Sequence, residues 1–180
     1  MTSSVPVSAP YTLVNGDNSQ CLSQIWTGNT QWPGFNLQGC TGNEWQQIRY
    51  NSDKSIPTGV GGYLINDNSN NVGSAQDGGL ARNSGWMYNV ISAVPNHTSL
   101  TGDAALQYGP VLIQEVWPTT TGVLDQSSGN NNVRFNWPNG GKSQTWISKA
   151  LNDVCSKLGI PVGECTQDSI NSCSYPAKSS

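Results

Sequence analysis

Tyr11-Thr12-Leu13-Val14-Asn15-Gly16-Asp17-Asn18-Ser19-Gln20-Cys21-Leu22 opens with a short apolar run and breaks into a polar turn. The opening recurs twice, at Gly62-Tyr63-Leu64-Ile65-Asn66-Asp67-Asn68-Ser69 and at Gly122-Val123-Leu124-Asp125-Gln126-Ser127-Ser128-Gly129. Each copy is followed by a second short strand and then by a tryptophan beside apolar or aromatic neighbours: Trp45, Trp86 and Trp146. Counted from Leu22, Leu64 and Leu124, these tryptophans lie 23, 22 and 22 residues further on. Self-similarity at a steady interval marks a repeat architecture.

The strands of each copy are too short to bury an apolar face alone. Gly, Asn, Ser or Pro bound their runs of four to six apolar residues,. Closing three such units into one barrel removes the edges they would otherwise expose. Trp45, Trp86 and Trp146 are expected to fill that barrel. Each indole would bury roughly 200 Å², on the order of 5 kcal/mol before entropy is subtracted. One segment alone reads as helix, Ser148 to Leu158, with Ala150, Leu151, Val154 and Leu158 on one face and Gly159 as its stop,.

At 180 residues the chain is one domain's length with a short appendage,. Only 11% of residues are charged and the formal net charge is −3. Low charge with seven Trp and six Tyr argues for a folded chain,. Eight scattered basic residues give no phosphate-binding patch, which argues against nucleic acid,. No apolar run is long enough to be a transmembrane segment. Met1 to Pro10 has no basic region and no long apolar region, so it reads as a flexible arm and not as a signal peptide; export would mean that the signal has been removed and Met1 added,. Five cysteines, none in a CxxC pair, and a lone histidine, His97, argue against zinc and for disulfides in an oxidising compartment,. The odd count leaves one thiol free or paired with another chain. Asn96-His97-Thr98 is a glycosylation sequon, a triplet that so Asn-rich a chain produces by chance,.

Cys21-Leu22, then Leu37-Gln38-Gly39-Cys40, then Trp45 resembles the first repeat of ricin B-type lectin domains. Val123-Leu124-Asp125 and Gln144-Thr145-Trp146 are similar to that family's Cys-Leu-Asp and Gln-x-Trp. In the first two repeats the Gln-x-Trp place reads Asn43-Glu44-Trp45 and Ser84-Gly85-Trp86. The resemblance implies an all-β fold, a β-trefoil of three pseudo-repeats over residues 11–147. A flexible arm would precede it at residues 1–10, and a short C-terminal helix with a cysteine-containing tail would follow at residues 148–180. It also implies a Cys21–Cys40 disulfide, which would constrain the unfolded chain by about 3 kcal/mol. The implied function is binding of a glycan or glycoprotein in shallow pockets, with no cofactor.

The third repeat is the expected pocket. The resemblance makes Asp125 the acceptor for sugar hydroxyls and Gln144 the residue that helps hold it; Ser23 and Ile65 stand at the matching places of the other repeats. Trp137 and Asn139 lie between the two, and Trp32 lies in an aromatic insertion of the first repeat. A tryptophan before proline, as in Trp32-Pro33, Trp117-Pro118 and Trp137-Pro138, sits in an extended or turn segment,. There it can stack on a sugar, or else cover a barrel end. Asp125 can alternatively cap its own hairpin turn. The usual stacking aromatic, two places before the second cysteine, is replaced by Gln38 and Arg134. Catalysis finds no support, because His97 stands without a nucleophile or a paired acid. Three other readings stay open: a binding subunit of a toxin, adhesin or surface assembly with a protein partner on the C-terminal tail, a β-trefoil hydrolase inhibitor, and a structural subunit. Secretion or extracellular surface is the expected location.

Overall fold

The computed structural model describes residues 7–25, 34–67, 69–75, 85–117, 122–126 and 131–173. Short strands alternate with tight turns: β1 (Tyr11–Asn15), β2 (Cys21–Ile25), β3 (Gly34–Gln38), β4 (Gln47–Ile48), β5 (Tyr63–Asn66), β6 (Val72–Ala75), β7 (Met87–Ser92), β8 (Val111–Trp117), β9 (Val123–Gln126), β10 (Val133–Asn136) and β11 (Trp146–Ser148). All pairings are antiparallel. The last strand returns to the first, with Leu13 opposite Ser148 and Asn15 opposite Trp146, so the sheet closes on itself.

Three repeats follow from the register. Asn15, Thr58 and Glu115 each end the first segment of a repeat, and their amides donate to Gln20 O (2.8 Å), Gly62 O (3.0 Å) and Gly122 O (2.9 Å). Each also faces the last strand of the preceding repeat, through Trp146, Ile48 and Tyr88 respectively. Residues 11–48, 54–88 and 111–146 are therefore three copies of one unit. The middle hairpins, β2–β3, β5–β6 and β9–β10, meet one another through Gly34 with Gly73, Asn36 with Asn132 and Asn71 with Arg134. A closed barrel capped by a triangle of hairpins is a β-trefoil.

The indoles do not occupy three equivalent places. The threefold core position holds Ile48, Tyr88 and Trp146, all buried. Trp146 is fully enclosed and its Nε1 donates to Leu124 O at 3.0 Å. Tyr88 donates its hydroxyl to Gly85 O at 3.0 Å and stacks on Phe135 with ring centroids 5.6 Å apart. Trp45 is 36% exposed and Trp86 is half-buried, so the expectation of three core tryptophans is corrected for both. The cause is local. A 3₁₀ turn, Glu44–Gln46, turns Trp45 outward and delivers the following Ile48 to the barrel.

Close packing between repeats depends on two glycines. A Cβ on Gly16 would collide with Thr145 and approach Lys142 O, and one on Gly59 would collide with Glu44 O and approach Gln47. These are matching contacts, each of a repeat's first turn against the 3₁₀ turn of the repeat before it; the amides of Gly16 and Gly59 donate to Thr145 O and Gln47 O, both at 2.9 Å.

Beyond the trefoil, the expected helix forms as Lys149–Leu158. Ser148 caps it by accepting from Leu151 N, and Gly159 ends it with φ 74°. Two further short helices went unforeseen, Gly102–Tyr108 and Gln167–Ser172. Seven and six residues are too few for a helical period to declare itself,. They are held by tertiary contacts: Tyr11 donates to Asp103 Oδ1 at 2.8 Å and Tyr108 to Asp168 Oδ2 at 2.9 Å. Cys21 pairs with Cys40 and Cys155 with Cys165, while Cys173 is a free thiol. Of the first ten residues, 7–10 are described, and Val7 packs into the core.

Glu115 is buried on β8 and accepts from Asn66 Nδ2 at 3.0 Å. Burial raises its carboxyl above the ordinary value of 4.5, against the opposing effect of the Asn66 bond. An acid with a raised folded-state pKa binds more protons folded than unfolded, so it lowers stability as pH climbs through that window. Glu115→Gln should therefore lose less stability than the parent as pH rises above the ordinary glutamate value of 4.5 in urea titrations,. In the same assay Trp146→Ala should cost about 3–5 kcal/mol, and Trp45→Ala about 1 kcal/mol or less.

Candidate functional site

The third repeat gathers four of the expected residues. Asp125 lies on β9, opposite Arg134 of β10, with Asn136 at the end of that strand. Two residues separate β10 from Asn139, and the 3₁₀ turn Lys142–Gln144 then brings Gln144 back beneath the hairpin. Gln144 is fully buried and uses both ends of its amide. Its Oε1 accepts from Asn139 N at 2.8 Å, and its Nε2 donates to Trp137 O at 2.7 Å and to Asp125 Oδ2 at 3.1 Å. Asn136 Nδ2 donates to the same Asp125 oxygen, also at 3.1 Å.

Asp125 is only 5% exposed, and its other oxygen, Oδ1, accepts no hydrogen bond from the described residues. A buried acceptor left without a donor is costly and uncommon in a folded protein. Trp137, whose carbonyl shares the Gln144 amide with Asp125, exposes 73% of its surface. Pro138 follows it, and Asn139 folds the next turn by accepting Gly141 N at 2.7 Å. Arg134, opposite Asp125 across the strand pair, donates to Ser69 O at 3.2 Å. The result is a fixed, buried hydrogen-bond acceptor in the repeat that also exposes an indole. Trp32, the remaining expected ligand residue, lies outside the described residues.

The same scaffold exists in the first repeat without the same chemistry. Gln46 is buried, accepts from Thr41 N at 2.9 Å and Gly42 N at 3.0 Å, and donates to Gly39 O at 2.8 Å. Gln46-Gln47-Ile48 is thus the counterpart of Gln144-Thr145-Trp146, and Trp86-Met87-Tyr88 takes that place in the second repeat. The assignments to Asn43-Glu44-Trp45 and Ser84-Gly85-Trp86 are shifted by three and two residues. Ser23 and Ile65 stand where Asp125 stands, and Gly39 where Trp137 stands. By this register Gln38 matches Asn136, not Arg134. Asn136 and Gln46 were both missed in the sequence; the run Gln46-Gln47-Ile48 would have shown the second had an aliphatic been allowed in the indole's place.

Among the described residues no group of three or more His, Cys, Asp or Glu side chains could hold a metal ion. His97 lies against the Tyr108 ring, centroids 4.5 Å apart, beside the helix Gly102–Tyr108. No helix among the described residues is long and apolar enough to cross a membrane.

No family model matches the sequence, and no curated protein matches it either. Solved structures do. The β-trefoil lectin of the Vibrio vulnificus hemolysin/cytolysin, with N-acetyl-D-lactosamine bound, is similar over 78% of this chain and 95% of its own, at 16% identity and TM-score 0.56. The Macrolepiota procera ricin B-like lectin, in complex with lactose, is similar over 82% of this chain and 97% of its own, at 16% identity and TM-score 0.55. A Clostridium perfringens endo-β-galactosidase that releases GlcNAcα1-4Gal is similar over 77% of this chain and 31% of its own, at 13% identity and TM-score 0.56. What this chain shares with the two lectins is the β-trefoil fold.

Replacing Gln46 by Leu strands the amides of Thr41 and Gly42 and the carbonyl of Gly39. The backbone groups are part-buried and water can reach some of them, so the variant should lose about 1–2 kcal/mol in chemical denaturation,. A loss below about 0.5 kcal/mol would show that the clamp carries no load.

Proposed function

We propose that this chain is a non-enzymatic, extracellular glycan-binding protein whose working pocket lies in the third repeat. The binding domain is residues 11–147, and the helix and tail at 148–180 are an appendage. Asp125 accepts a sugar hydroxyl, Trp137 supplies the stacking face, and Gln144 with Asn139 holds the loop between them. The observation that carries this reading is Asp125 Oδ1, a buried acceptor without a donor among the described residues, in the repeat that exposes the Trp137 indole. A hydroxyl from a ligand would satisfy it, and a sugar's apolar face suits the indole. The structural neighbours add weight, since two of them hold galactose-containing disaccharides in a fold of this kind. The two disulfides accord with an oxidising, extracellular setting,. Because Ser23 and Ile65 replace the acid elsewhere, the first two repeats serve mainly as scaffold.

A second reading concerns the free thiol of Cys173 near the C-terminal end. It favours a disulfide-linked protein partner on the tail, as for a binding subunit of a larger assembly. A slower band on non-reducing gels, absent in Cys173→Ser, would support that reading.

The main test is a glycan array followed by calorimetric titration with lactose and N-acetyl-D-lactosamine. Asp125→Ala should reduce affinity at least about tenfold, and Trp137→Ala by about tenfold. Trp137→Ala should leave the melting temperature near the parent's, since it removes an exposed ring, whereas Asp125→Ala also breaks the bonds from Asn136 and Gln144, so its binding is compared at a temperature where circular dichroism shows it folded. Absence of saturable binding, or binding indifferent to Asp125→Ala, would sink the proposal.

A further inference from the structure

The geometry points to Asn136 as a positioning residue of this site, an inference that rests on the glycan-binding reading above. Asn136 and Gln144 reach Asp125 from different elements, the end of β10 and the 3₁₀ turn, yet both donate to the one oxygen Oδ2. A carboxylate oxygen offers two lone pairs, so two donors fill Oδ2. The plane of the carboxylate is then fixed before any ligand arrives, and Oδ1 is left as the oxygen without a donor, which a ligand would meet only by displacing what covers it. A preset acceptor spares the ligand the cost of ordering it.

The first repeat shows that this use of the amide depends on the acid. Gln38 occupies the place of Asn136, and there, with Ser23 in place of Asp125, its Nε2 donates to Asn36 Oδ1 at 2.9 Å. Asn136 is also exposed, so its side chain contributes little to the core. Among the described residues its side chain bonds Asp125. An exposed residue whose amide serves a buried acceptor belongs to the site and not to the packing.

The test has one arm without ligand and one with lactose. In ¹⁵N spectra of the ligand-free protein, the side-chain NH₂ resonances of both Asn136 and Gln144 should move in Asp125→Ala. An Asn136 resonance that stays in place overturns the inference, whatever the protein binds. In titrations with lactose, Asn136→Ala should weaken binding about tenfold while the melting temperature stays within about 2 °C of the parent. Unchanged affinity, or weaker binding accompanied by a large fall in melting temperature, overturns it in favour of no role or a structural one. If the resonances are coupled but the parent protein binds neither lactose nor any array glycan, the glycan reading fails and takes the positioning role with it, leaving only the hydrogen bond.

Discussion

Two buried glutamine amides hold this fold together at the joints between hairpin and barrel. Gln46 and Gln144 each follow a 3₁₀ turn, and each bonds backbone groups at the end of the hairpin before it. The barrel strand begins immediately afterwards, with Ile48 or Trp146 pointing into the core. One buried side chain thereby satisfies both an N–H and a C=O of a part-buried connection,. Without it the connection would have to turn beneath the hairpin with unpaired backbone. The neighbouring glycines, Gly16 and Gly59, complete the joint by letting the next repeat come into contact with the same turn. The proposed binding site would grow from this joint: in the third repeat the structural amide also reaches Asp125, so such a site would be a modification of the scaffold and not an addition to it.

Much of the architecture was legible because repetition survives in the strands. The leucines Leu22, Leu64 and Leu124 do align, and each is buried at the same register position in its hairpin. Two residues after each comes a buried amide, Gln24, Asn66 or Gln126, so the likeness continues on the inner face. The tryptophans misled because an indole is conspicuous while the position it marks is only apolar. Ile48 and Tyr88 fill that position as well as Trp146 does, and Tyr88 gains a hydroxyl bond to Gly85. A 3₁₀ turn of three residues was enough to displace the apparent repeat by its own length in the first copy.

The site was legible to the extent that it follows the strands. Asp125 could be found because it directly follows Leu124, and Gln144 because Trp146 marks its place. Asn136 could not, since its role depends on how β10 is set against β9. Reading that register requires the length and shape of the hairpin turn, and the Ser, Gly and Asn residues there carry no distinguishing period. The resemblance placed the second cysteine's counterpart at Asn136, whereas the shared backbone bonds match Cys40 to Pro138. Hydrogen bonds, and not residue likeness, settle such positions.

The return of β11 to β1 places the start and finish of the barrel side by side, with Val14 opposite Ile147. Topologically the ring of strands has no privileged origin. Joining those two neighbours by a linker and opening the chain between the second and third repeats would preserve every strand pairing within the ring, at the cost only of one loop. A unit with this property can be inserted into a host protein through a single surface turn, because its entry and exit points lie one strand apart.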